Sequence, residues 1–182
     1  GVSGRNWLKT TLLKLELRFL YSRVEKIICV SQGCADSVNE ILGVQSKASI
    51  EVIYNPVDAG RIQKLQDEEP NDSFASSFKG LKRPVILSVG RMHPQKGYYD
   101  LIKAFGGMPA DERGSLVILG DGELRDAIVE EVESSGLCED VHMPGFVGNP
   151  WWYMGQSDLF VLASHWEGFG LVLVEAMACG VP

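Results

Sequence analysis

Two carboxylates eight residues apart, Glu167 and Glu175, enclose the stretch Glu-Gly-Phe-Gly-Leu-Val-Leu-Val-Glu. Gly168, Phe169, Gly170 and Leu171 sit where an irregular segment passes into a helix. The first amides of a helix have no partners inside it, and glycine lets a ligand approach the backbone closely. Such a helix start attracts anions and oxygen-rich groups. Glu175 is the only charged residue in 171–179, among Leu, Val, Ala and Met. A buried carboxylate needs donors, and sugar hydroxyls would serve. A wet helix side or capping backbone amides would serve as well.

A second group, Gly90-Arg-Met-His-Pro-Gln-Lys96-Gly97, directly follows an apolar run that reads as a strand. In open parallel sheets, ligands sit beyond the carboxyl ends of the strands. Arg91 and Lys96 could clamp a diphosphate there, Arg as a planar fork and Lys as a mobile charge. The plain alternative is a solvated basic loop. The spacing is not that of a P-loop. Gly120-Asp121-Gly122 follows another strand, but Arg125 breaks the GxGxxG pattern of dinucleotide binders, so a simple turn remains open. Phe146 and Val147 close a further strand and could meet a base edge. Trp151, Trp152 and Trp166 read as packing residues before sugar platforms.

The elements that must place these residues alternate regularly. Strands are expected at 84–89, 115–119, 141–143 and 159–162. Helices are expected at 100–105, 123–134, 151–156 and 171–179, the last stopped by Gly180 and Pro182. Alternation of this kind specifies an α/β fold with a parallel sheet. Upstream, residues 7–26 form a helical pattern through Leu8, Leu12, Leu15 and Phe19, with Lys9, Lys14, Arg18 and Arg23 on the polar side. Packing against a core and docking on an anionic membrane surface are both compatible with it. A strand at 27–30, a helix from Ser31 to Leu42 and a strand at 50–54 follow. The polar segment 65–80 reads as linker or surface loop.

Bulk properties narrow the classes. The chain has 182 residues, a formal net charge of −7, 45% hydrophobic and 23% charged residues. Residues 1–26 hold six Lys/Arg against two Asp/Glu, so the remainder is strongly acidic, which argues against nucleic acid. Four cysteines without a CxxC pair, and histidines 93, 142 and 165 without ligand spacing to them, read as reduced, buried thiols in a cytoplasmic protein. No apolar run reaches the roughly 20 residues of a membrane span.

Taken together, these motifs resemble the retaining GT4 glycosyltransferases. The strongest match is Ser164-His-Trp-Glu-Gly-Phe-Gly-Leu-Val-Leu-Val-Glu-Ala-Met-Ala-Cys-Gly-Val-Pro182, which carries the family's E-x7-E signature. Val30-Ser31, Tyr54-Asn-Pro-Val-Asp58, Ser88–Gly97, Leu119–Gly122 and Gly145-Phe-Val-Gly-Asn149 support it in family order. The resemblance implies a GT-B enzyme of two Rossmann-like domains. Residues 1–57 would be the end of the N-terminal, acceptor-side domain. Residues 58–81 would be a linker or loop, and 82–182 the incomplete nucleotide-sugar domain. Both ends look cut.

By the same resemblance, Arg91 and Lys96 would hold the diphosphate and Glu167 the hydroxyls of the transferred sugar. Glu175 would take the ribose hydroxyls, and the backbone of Gly90, Gly120 and Gly168–Leu171 would line the donor. Phe146 and Val147 would lie by the base. The implied reaction moves a hexose from a UDP- or GDP-sugar to a glycan, lipid or other hydroxyl acceptor, as in polysaccharide biosynthesis. No cofactor and no metal are expected, since a DxD carboxylate pair is absent. The implied place is the cytoplasm or the inner face of the membrane, with residues 7–26 as the membrane contact. The alternatives are nucleotide-sugar binding without turnover and a GT-B sugar-nucleotide 2-epimerase.

Overall fold

The computed structural model describes residues 3–21, 23–43 and 48–182. They divide into two compact units, 1–56 and 57–182.

The first unit contains helix α1 (Ser3–Tyr21), strand β1 (Lys26–Cys29), helix α2 (Gln32–Leu42) and strand β2 (Ser49–Val52). β1 and β2 pair in parallel, Lys26 opposite Ser49. Ser31 caps α2 by accepting the Cys34 amide at 3.2 Å. Gly43 ends α2 with positive φ, the conformation that stops helices at little steric cost. The expected helix over 7–26 is observed as Ser3–Tyr21, and Lys26 belongs to β1. Leu12, Leu13, Leu15, Phe19 and Leu20 of α1 are all exposed. Leu8 and Lys9 lie outside the residues whose side chains are described. No described helix is long and apolar enough to cross a membrane.

The second unit is built on a four-stranded, all-parallel sheet in the order β5-β4-β3-β6. Its strands are β3 (Val85–Val89), β4 (Ser115–Leu119), β5 (Val141–Gly145) and β6 (Leu159–Phe160). β3 and β4 are nearly continuous apolar runs with every residue of β4 buried, as expected for a sheet covered on both faces. Helices α5 (Tyr98–Gly106) and α6 (Arg125–Ser134) pack over Ile86, Leu116 and Ile118. Helices α3 (Ala59–Gln66), α4 (Ser73–Phe78), α7 (Pro150–Gln156) and α8 (Leu171–Ala178) join Leu87, Val117 and Leu119 in the other core cluster.

The segment 65–80, expected to be linker or surface loop, holds the end of α3 and all of α4 and contributes to the core. Asp72 accepts the amides of Phe74 and Ala75 at 3.1 Å, which starts α4. Ala75 and Phe78 are buried. Phe78 packs edge-on against Tyr153 at 5.0 Å and tilted against Trp152 at 5.8 Å. The polar composition concealed a short amphipathic turn whose apolar residues meet α7. The cysteines also differ from expectation: Cys29 and Cys179 are buried, Cys34 is half-buried and Cys138 is exposed.

Chain order in the sheet determines where a ligand can enter. From β3 the chain moves to β4 and then β5 on one side, and returns to place β6 on the other side of β3. The chain order thus reverses at β3, and in open parallel sheets ligands bind at the carboxyl strand ends by such a reversal.

Phe78→Ala removes a ring that is 2% exposed and should cost about 3–5 kcal/mol in denaturant unfolding. Phe146→Ala, at 84% exposure, should change stability by no more than about 0.5 kcal/mol. Equal effects would contradict this placement of the core.

Candidate functional site

The loop after β3 begins at Gly90 and turns through the 3-10 segment Pro94–Lys96. His93 caps that turn, its Nδ1 accepting the Gln95 amide at 3.2 Å. Gly97 follows with a φ of 63°, and a Cβ there would collide with the Ala163 carbonyl of the loop after β6. The two loops are thus in backbone contact. Gln95 joins them again: its carbonyl accepts the His165 amide at 2.8 Å, and its Nε2 donates to the Trp166 carbonyl at 2.7 Å.

Across this junction Lys96 Nζ lies 2.6 Å from Glu167 Oε1, with side chains 17% and 25% exposed. Ser164 Oγ donates to the same Oε1 at 2.7 Å. Burial pushes the Glu167 carboxyl up, but the hydrogen bonds from Lys96 and Ser164 and the Lys96 charge outweigh it and hold the group below its usual range. Glu167 is therefore an ionised acceptor in a fixed position.

Two adjoining hollows open at this end of the sheet, each of about 350 Å³. Val89, Gly90 and Arg91 line both. The first is mostly apolar and is completed by Leu119, Gly120, Asp121, Phe146, Val147 and Pro150. A Cβ at Gly120 would collide with the Gly90 carbonyl, so glycine is what lets these two strand ends meet. The second hollow is completed by Lys96, Glu167, Gly170, Leu171, Val172 and Glu175. Gly170 starts α8 in the left-handed conformation and supplies no side-chain cap. Gly168 and Phe169 lead into this start but do not line the hollow.

Arg91 lines both hollows, while its guanidinium pairs with Glu123 at 3.3 Å and is 69% exposed. Glu175 is half-buried. Burial pushes its carboxyl above the ordinary value, and the Trp151 indole N–H brings it only partly back.

The structure thus gathers Gly90, Arg91, Lys96, Gly120, Phe146, Val147, Glu167, Gly170, Leu171 and Glu175 around one continuous cleft. Sequence reasoning quoted Ser164, Gln95 and Asp121 within its motifs but gave them no role; Ser164 and Gln95 fix the two loops, and Asp121 lines the apolar hollow. Ser164 opens the Ser164–Pro182 motif and stands three residues before Glu167. Trp152 is buried, as expected of a packing residue, but Trp166 is exposed and stacks on His165 at 6.1 Å. Among the described residues no group of three His, Cys, Asp or Glu could hold a metal ion.

Comparison with known proteins agrees with this fold. The family described as glycosyl transferases group 1 matches residues 70–182, and glycosyltransferase family 4 matches residues 1–61. The chain belongs to the glycosyl transferases group 1 family, with a GT-B-type Rossmann-like architecture. It is 32% identical over 177 residues to the Campylobacter jejuni N-acetylgalactosamine-N,N'-diacetylbacillosaminyl-diphospho-undecaprenol 4-alpha-N-acetylgalactosaminyltransferase. That match covers 96% of this chain and 45% of the relative. It is 30% identical to the Rhizobium meliloti lipopolysaccharide core biosynthesis glycosyltransferase LpsE, covering 89% and 44%. The crystal structure of Anabaena HepE in complex with UDP superposes with a TM-score of 0.75 at 26% identity, covering 93% of this chain and 48% of that one. The chain spans less than half the length of these curated relatives.

The raised carboxyl of Glu175 means that the folded protein binds this proton more tightly than the unfolded chain does. The stability tied to the protonated form is present at low pH and lost as pH rises past the ordinary glutamate range. Glu175→Gln should therefore melt above wild type at pH 7 and together with it near pH 4. A lower melting temperature at pH 7 would show that the ionised carboxylate stabilises the fold.

Proposed function

We propose that the cleft binds the nucleoside diphosphate sugar, UDP-linked in the first instance, of a retaining hexosyltransferase. The observation that carries this reading is the convergence of Lys96, Arg91, Glu167 and the uncapped start of α8 on one hollow that continues into an apolar one. A nucleotide sugar has the same sequence of demands: a flat base, ribose hydroxyls, a diphosphate and a polyhydroxylated ring. The base lies against Phe146 and Val147. Glu175 takes the ribose hydroxyls. Lys96, Arg91 and the α8 amides hold the diphosphate, and Glu167 accepts from the sugar.

In transfer, the bond between the anomeric carbon and the β-phosphate oxygen breaks, and negative charge grows on the departing diphosphate. Fixed positive groups in a partly desolvated site stabilise that charge with little reorganisation, usually a large part of the rate enhancement. Lys96 and Arg91 supply it without a metal. Arg91 must exchange Glu123 for phosphate to do so. On the retaining route, the leaving oxygen assists the incoming hydroxyl on the same face of the sugar.

The acceptor is a hydroxyl of a glycan or a lipid-linked glycan. The Campylobacter relative, whose name specifies a diphospho-undecaprenol substrate, supports the lipid-linked form. The exposed leucines of α1 beside Lys14, Arg18 and Arg23 support peripheral contact with an anionic membrane at its cytoplasmic face.

Calorimetric titration of the protein with UDP, GDP and ADP tests the donor, and proton NMR of the released sugar reads the anomer. UDP should bind saturably and the product should keep the donor's α-configuration. Lys96→Ala should lower transfer or donor hydrolysis by about 10²–10³-fold, with a smaller loss in uridine affinity. Loss of nucleotide binding in none of the Lys96, Glu167 or Glu175 variants would overturn the assignment.

A further inference from the structure

We propose that a separate hollow, formed by the loop after β3 and the start of α5, is a saccharide subsite that takes a sugar residue of the acceptor glycan; this rests on the transferase reading above.

The hollow has a volume of about 380 Å³, and His93, Tyr98, Tyr99, Asp100 and His165 line it. None of its lining residues lines the two donor hollows. Tyr98 is buried, while the Tyr99 ring is 41% exposed. Two imidazole–carboxylate pairs stand here. His93 Nε2 lies 3.6 Å from Glu123 Oε1, and His165 Nε2 lies 3.7 Å from Asp100 Oδ2. Both separations exceed the roughly 2.7–3.2 Å of an N–H···O bond. His93 accepts the Gln95 amide on Nδ1, so its neutral ring carries the proton on Nε2. A hydroxyl accepts from such an N–H and donates to the carboxylate, closing the gap with two ordinary bonds.

One such gap suits a water molecule. Two gaps beside a tyrosine ring suit a ligand with several hydroxyls and an apolar C–H face, which is the makeup of a sugar. An apolar guest would leave the imidazoles and carboxylates unpaired, and an anionic one would face Asp100 and Glu123. Three consecutive residues connect this hollow to the donor site. His165 lines it, Trp166 is 59% exposed with its ring stacked on His165 at 6.1 Å, and Glu167 lines the donor hollow. Gln95, bonded to the Trp166 carbonyl, fixes this segment. Two residues span at most about 7 Å of chain. A glycan that presents its hydroxyl beside Glu167 therefore crosses the Trp166 ring and places a further sugar in the hollow.

The test follows the imidazole NMR resonances at fixed pH while the protein is titrated with maltose and with N,N'-diacetylchitobiose, with and without UDP. The sequence holds three histidines, and His142 lies on β5 outside the hollow. At least one disaccharide should shift His93 and His165, leave His142 still, and bind together with UDP. Tyr99→Ala and Asp100→Asn should each weaken that binding about three- to tenfold and leave UDP affinity unchanged, with melting curves as controls. The wild-type shifts do not depend on how the variants fold. No shift of His93 or His165 with either sugar, or wild-type sugar affinity in both variants, would overturn the subsite. A disaccharide expelled by UDP would overturn its acceptor role. Failure of UDP to bind would overturn the donor-site reading separately, because the titration without UDP still decides whether the hollow takes a sugar.

Discussion

The Lys96–Glu167 ion pair is the constraint around which the cleft is organised. It joins two loops, one after β3 and one after β6. A pair this shielded costs desolvation of both charges, so it persists only where other bonds hold its geometry. Ser164 supplies one on the carboxylate side, and Gln95 ties the loops on either flank. The Gly97–Ala163 backbone approach then fixes the separation. In the proposed reaction both charged groups have second partners, phosphate for Lys96 and sugar hydroxyls for Glu167. The pair stands as a preformed core of the site.

The rest of the cleft is a graded environment. Beyond Arg91 the lining turns apolar, where Gly120 and Gly90 let strand ends meet and Phe146 is left open to solvent. At the other end lies Glu175, half-buried on the wall of the second hollow. The two glutamates of one motif therefore differ in character: Glu167 is held below the usual carboxylate range by a cation and a hydroxyl, while Glu175 is raised by burial. That contrast fits one acceptor fixed before binding and another completed by its ligand.

Much of this was legible in the sequence for physical reasons. The apolar runs of β3 and β4 sit between glycine-marked turns, and a doubly covered strand tolerates little else. Glu175 stood out as a lone charge in an apolar helix, and the structure places it on the cleft. Segment 65–80 was misread because Asp72, Ser73 and Ser76 outweigh Phe74 and Phe78 in composition, although only the two rings and Ala75 face the core. The roles of Ser164 and Gln95 were hidden for another reason: they lie in which distant atoms these residues meet, and no spacing along the chain encodes that.

The most direct test of the central claim is a crystal structure of the protein with UDP-glucose bound. The account places the uracil against Phe146 and Val147, the ribose hydroxyls on Glu175, the diphosphate by Lys96 and Arg91 at the start of α8, and the glucose on Glu167. A nucleotide bound away from this cleft, or in it with the phosphates remote from Lys96 and the ribose from Glu175, would contradict the account.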